Sequence, residues 1–246
     1  MYSQETNAMS LHLSQDLNDA HTSLLRLSGS VEEMIGSAVE SLMERRGALA
    51  AEVIERDSTI DRSEVRIEED CLKMLALHQP VAADLRRITT MMKINNDLER
   101  IADLACNIAQ RADSLCSHPE FPIPPGINQM ALMTTSMVRR SLDAFVQRNT
   151  EAAHQVIKED DLVDAKNVEV IEILNSLMSR DSTQIGAAMH CFSASRHLEQ
   201  IADHAVSISE DIIYMVDGVI VRHHQILERN QRGSQTPQFK PGDVNR

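Results

Sequence analysis

The stretch LERIAD at residues 98–103 recurs as LEQIAD at 198–203, matching at five of six positions with an offset of 100 residues. Upstream, DSTID (57–61) corresponds to DDLVD (160–164) at an offset of 103, which also aligns Val53 with Val156 and Ile60 with Val163. At that same offset Met34, Ile35, Val39 and Leu42 meet Met137, Val138, Leu142 and Phe145. This is an internal duplication of a three-helix unit. Two copies are too few for an open solenoid but suit two bundles sharing one elongated body.

Apolar spacing and breakers predict helices over about 8–44 and 48–77, with a third starting near Pro80, whose ring suits a first turn. The copy predicts about 127–148, 150–179 and 183–220. The expected division is a first repeat over 1–118, a Pro-rich linker over 119–126, a second repeat over 127–228 and a disordered tail over 229–246. No Trp, two Tyr, four Phe and 8 Gly among 246 residues argue against a β-sandwich or barrel, and 42% hydrophobic content supports a sizeable core. The fold class expected is all-α, two tandem three-helix bundles.

A formal charge of −13 excludes direct nucleic-acid binding as an expectation, because phosphate backbones demand clustered Lys and Arg. Cys71, Cys106, Cys116 and Cys191 show no CxxC spacing, and the first residues lack a signal-peptide pattern. Reduced, buried cysteines in a cytoplasmic protein are expected. No apolar run approaches the roughly 20 residues needed to cross a bilayer, so membrane association is expected only through partners.

Each repeat carries two D/E-x-x-x-D pairs: Asp57 with Asp61 and Glu99 with Asp103, then Asp160 with Asp164 and Glu199 with Asp203. On the third helix of each repeat Leu98, Ile101, Ala105 and Ile108, or Leu198, Ile201, Ala205 and Ile208, form an apolar stripe. The carboxylates lie roughly opposite it, outside the core. Like charges four apart cost a few tenths of a kcal/mol unless neutralised. Antiparallel neighbours about 8–10 Å apart bring two pairs into one cluster of four carboxylates. A hard cation relieves that repulsion: carboxylate oxygens suit magnesium, calcium, manganese or ferric iron. Asn107, and Ser207 in the copy, add an oxygen donor one turn on. The competing reading keeps the fold metal-free, with acidic faces that are solvated or dock basic partner surfaces.

A di-iron carboxylate oxidase is a poor match, since it uses Glu-x-x-His ligands pointing into the bundle, and Ala102 and Ala202 stand where the histidines would be. His190, His197 and His204 recur every seven residues on a different face from Glu199 and Asp203, which suits packing or surface roles. No Gly-rich phosphate loop, nucleophile elbow or Cys/His dyad spacing is present, and no catalysis is expected.

The stretch QPVAADLRRITTMMKINNDLERIADLACNIAQRA (79–112) closely resembles the signature of the PhoU family of phosphate-transport accessory and regulatory proteins, and SRHLEQIADHAVSISEDIIYMVDG (195–218) resembles it more loosely. The resemblance implies a duplicated three-helix architecture and multinuclear metal clusters of iron, magnesium, manganese or zinc on the bundle surface. Their ligands would be Asp57, Asp61, Glu99 and Asp103 in the first repeat and Asp160, Asp164, Glu199 and Asp203 in the second. It further implies a negative regulator of phosphate uptake and starvation signalling. The implied partners are the ATPase subunit of the phosphate ABC transporter and a phosphate-sensing histidine kinase; the elongated double bundle adds the expectation of a homodimer. Two departures stand out. The family usually has Gly where this chain has Ala102 and Ala202, and the second repeat has RDSTQIGAA in place of the QPVAADLR opening.

Overall fold

In a computed structural model, residues 2–118 and 120–221 are described, with side chains from residue 12 onward. Among them are six α-helices and no strand: α1 (Tyr2–Glu44), α2 (Gly47–His78), α3 (Ala82–Leu115), α4 (Gly126–Gln147), α5 (Thr150–Arg180) and α6 (Ile185–Asp217). A 3₁₀ turn, Ser182–Gln184, precedes α6. The tail expected to be disordered over 229–246 lies outside the described residues.

The duplication reaches down to single hydrogen bonds. Arg45 and Arg148, 103 apart, both end a helix in the left-handed region, at φ 52° and 51°. The next amides, of Arg46 and Asn149, each donate over 2.9 Å to Ser41 O and Ala144 O, the same step back. A non-glycine residue in this region carries strain, so a shared exception marks a turn kept through duplication. The second copy adds a cap, Asn149 Oδ1 accepting from the Ala152 amide at 3.1 Å.

The helix limits expected from the sequence hold to within a few residues except at the start of α1, which begins at Tyr2 rather than near residue 8, and two ends have a specific local cause. Pro80 does not open α3; Gln79 and Ala82 both have positive φ, so the chain turns twice before Ala82 begins the helix. The last helix stops at Asp217 because Gly218, at φ 72°, takes the left-handed position and sends its amide to Tyr214 O at 2.9 Å.

The helices α3 and α6 form the centre. Each packs against both other helices of its own repeat and against the other, while α1 also touches α4. The stripes Leu98, Ile101, Ala105, Ile108 and Leu198, Ile201, Ala205, Ile208 are completely buried and belong to one continuous core. Ala102 and Ala202 are completely buried as well, because helices enclosed on several sides have more than one apolar face. Across the α3–α6 seam His204 Nδ1 meets Asp97 Oδ1 at 2.9 Å, and Lys93 Nζ meets Asp211 Oδ1 at 3.0 Å. Of the seven-residue histidine stripe, His204 thus bonds across the seam. His190 lies with its ring centroid 6.2 Å from that of His118, and His197 bonds Ser193 and Gln200 of its own helix.

All four cysteines are free thiols. Cys71, Cys106 and Cys191 are buried as expected, whereas Cys116 is exposed, since it lies just past the end of α3 where the bundle stops.

Candidate functional site

The acidic pairs occupy the middle of α2 and α3 in one repeat and of α5 and α6 in the other. Each set of four is gathered within mutual electrostatic reach. Asp57 feels Asp61 along α2 and Asp103 across on α3, and Glu99 feels Asp103 and Asp61. In the copy Asp160 feels Asp203, Asp164, Asp161 and Glu199, and Asp203 feels Asp164. Convergence of the two pairs within each repeat, expected from helix spacing, is therefore present.

As expected, none of these carboxylates belongs to the core, but most are not fully solvated either. Only Asp61 and Asp203 are exposed; the other six are part-buried on the shoulder between helices. At 100° per residue a carboxylate opposite its own helix's stripe still meets a neighbouring helix when that helix is packed from several sides. Burial is accordingly the largest cause raising the proton affinity of Asp57, Glu99, Asp160 and Glu199, followed among the raising causes by like charge from the cluster.

The clusters are not identical. The Cys106 thiol sits beside Asp57 and pulls that carboxyl back down against burial, although its hydrogen bond in the structure runs to Val53 O at 3.8 Å. The copy has Val206 at the equivalent place, and Asp160, without such a donor, is pushed up to about 7. Arginine counter-charge differs too. Arg100 reaches Glu99 at 3.4 Å and Asp103 at 3.5 Å in the first cluster. Arg196, one turn before Glu199, meets it at 2.9 Å in the second.

Three carboxylate oxygens in these clusters, Asp57 Oδ1, Asp160 Oδ1 and Glu199 Oε2, are buried without a hydrogen-bond partner. An unpartnered buried acceptor is costly, and the donor set is all hard oxygen, so the residues present fit a hard cation. Among the described residues no three acidic, His or Cys side chains already close around a common point as a metal cage. Asn107 and Ser207 are part-exposed one turn beyond.

Glu64, not anticipated from the sequence, extends the first cluster. It lies seven residues after Asp57 on the same face, raises the proton affinity of Glu99, and accepts from Asn95 Nδ2 through its backbone carbonyl at 2.9 Å and its side chain at 3.4 Å. The heptad spacing from Asp57 is the available signal, but the copy has Asn167 there, so the duplication does not repeat it.

A family model, the PhoU domain, matches this chain twice, over residues 24–112 and 127–212. The chain belongs to the PhoU family. Both PhoU matches contain a full set of acidic pairs, and the offset between them agrees with the internal duplication. Among curated relatives, the "Phosphate-specific transport system accessory protein PhoU homolog" of Aquifex aeolicus is 39% identical over 221 residues, 90% of this chain and all of that protein. Among solved structures, PhoU from Pseudomonas aeruginosa superimposes with a TM-score of 0.80 at 35% identity, covering 84% of this chain and 99% of the other. The phosphate transport system regulatory protein PhoU from Streptococcus pneumoniae gives 0.79 at 26% identity, over 85% and 99%. No described helix is long and apolar enough to cross a membrane.

Proposed function

We propose that this protein is a non-enzymatic cytoplasmic adaptor that restrains phosphate uptake and phosphate-starvation signalling, with a hard metal cation bound at each acidic cluster. Its partners in this reading are the ATPase subunit of a phosphate ABC transporter and a phosphate-sensing histidine kinase. Membership of a family whose curated members are named as phosphate-specific transport system accessory proteins supports the physiological role. The observation that carries the metal assignment is the buried, unpartnered Oδ1 of Asp57 and of Asp160, at equivalent places in the two repeats, joined in the second by Glu199 Oε2.

Asp57, Asp61, Glu99 and Asp103 would hold one cation, and Asp160, Asp164, Glu199 and Asp203 the other. The metal supplies counter-charge. The chain's own residues do the rest: α2 with α3, and α5 with α6, present carboxylates from two rigid elements, so ligation fixes the spacing of adjacent helices on two outer faces. Arg100 and Arg196 neutralise part of each cluster. That feature also favours a second reading, a metal-free module whose acidic faces dock basic partner surfaces.

Chromosomal replacement by the double variant D103N/D203N tests the first reading. Expected are faster phosphate uptake and expression of starvation genes in phosphate-replete medium, together with loss of metal from purified protein by elemental analysis. Intact repression with the metal gone would refute a regulatory role for the metal. Partner binding that survives chelator yet weakens with salt would establish the metal-free alternative.

A further inference from the structure

On the side of α2 away from the first acidic cluster, α1 and α2 enclose a cleft of about 640 Å³. Its floor is apolar, from Leu27, Met34, Ile60 and Ile67. Its walls are of another kind: Arg26 on α1, Arg56 and Arg66 on α2, with the hydroxyls of Ser23, Ser30, Thr59 and Ser63 between them. Two carboxylates also line it, Asp19 and Glu33. Glu33 is taken by Arg56 at 3.5 Å, which closes one end of the cleft as an ion pair.

The two helices run antiparallel. Glu33 opposite Arg56 and Asp16 opposite His78 fix the register, and that register puts Arg26 and Arg66 at the same level, facing the same space. Neither forms an ion pair with any described residue. Two unpaired guanidinia across one cleft stand out in a chain with a formal charge of −13. The hydroxyls are engaged only weakly: Ser30 and Ser63 donate to carbonyls of their own helix at 3.3 and 2.9 Å, bonds that one side-chain rotation exchanges for a ligand oxygen.

The duplicated scaffold does not require this arrangement. At the offset of 103, Arg26, Arg56 and Arg66 correspond to Gln129, Glu159 and Glu169, and Ser30, Thr59 and Ser63 to Met133, Leu162 and Lys166. The second repeat satisfies those charges internally, Glu159 with Arg140 and Glu169 with Lys166, each at 2.5 Å. The same backbone therefore stands without guanidinia or hydroxyls at these positions, and their presence in the first repeat calls for another partner.

We propose that the α1–α2 cleft is a binding site for a phosphate group, inorganic or carried on a small organic ester, gripped by Arg26 and Arg66 and by the hydroxyls of Ser23, Ser30 and Ser63. Planar guanidinium forks match phosphate oxygens, hydroxyls complete the shell, and the apolar floor accommodates the body of an ester. The site is separate from the acidic clusters and needs no metal.

Calorimetric titration of the full chain in chelator, with inorganic phosphate and separately with glycerol phosphate, tests this. Saturable binding is expected for at least one, weakened about tenfold or more in R26Q/R66Q. Both arginines are exposed, so helix content and melting temperature should match the parent and exclude misfolding. Tighter binding of the ester assigns the cleft to an organic phosphate, and equal binding to the free ion. Absence of saturable binding by both probes, or binding undiminished in the double variant, overturns the proposal.

Discussion

Asp160 is the residue whose environment most opposes its charge. Its carboxyl is pushed up to about 7 by burial and then by Asp203, Asp164, Asp161 and Glu199. Because the folded value lies above the ordinary 3.8, the stability it contributes is complete below pH 3.8 and is lost as pH rises through about 7. In chelator-treated protein, Asp160→Asn should therefore have a higher urea midpoint than the parent at pH 8, with the gap narrowing at pH 5. Added manganese should raise the parent's midpoint at pH 8 by clearly more than that of the Asn variant, which keeps only the first cluster intact. Equal midpoints at both pH values would mean that water screens the carboxylate fully. The acidic pairs themselves were legible, since four-residue spacing repeated at a fixed offset is visible in the sequence. Their half-burial was not. It depends on which neighbouring helix covers the far face, and Cys106 opposite Val206, which separates the two clusters, reads as ordinary apolar variation until Asp57 is seen beside the thiol.

Elements were read well wherever local chemistry decides them. The α1–α2 and α4–α5 turns sit where apolar periodicity breaks. Helix α3 starts near Pro80 as expected but not with its ring in the first turn, and the left-handed Gln79 and Ala82 that displace it carry no glycine to announce them. Gly126 has a plainer reason: a Cβ there would lie 2.6 Å from Val170 Cγ2, so the start of α4 rests directly on α5. Gly126→Ala should lower stability by about 1–3 kcal/mol, the usual cost of overpacking, measured by chemical denaturation; no change would show that the Val170 side chain gives way. Across the seam, Asp211 is only 2% exposed in its side chain and meets the Lys93 ammonium. Lys93→Ala should cost about 1.5–3 kcal/mol, as for a hydrogen bond to a charged group, read as a shift in the same midpoint.

At the scale of the whole molecule, the duplication announces two units, yet the core is one. Helix α3 packs against α6 as fully as against its own repeat, and apolar side chains of both halves join a single cluster. The sequence reveals the copy but not the seam, because the pairs that cross it, His204 with Asp97 and Lys93 with Asp211, join residues more than 100 apart that no local periodicity links. Unfolding in denaturant should therefore be a single transition, with amides of α3 and α6 exchanging at the same global free energy. Two transitions, one per repeat, would contradict a shared core. The central claim is that paired carboxylates on adjacent helices are bridged by a hard cation. Crystals grown with manganese and measured at the manganese absorption edge test it most directly. The account predicts anomalous peaks between Asp57, Asp61, Glu99 and Asp103 and between Asp160, Asp164, Glu199 and Asp203; density at those oxygens made up of water alone, with no anomalous signal in either repeat, would contradict it.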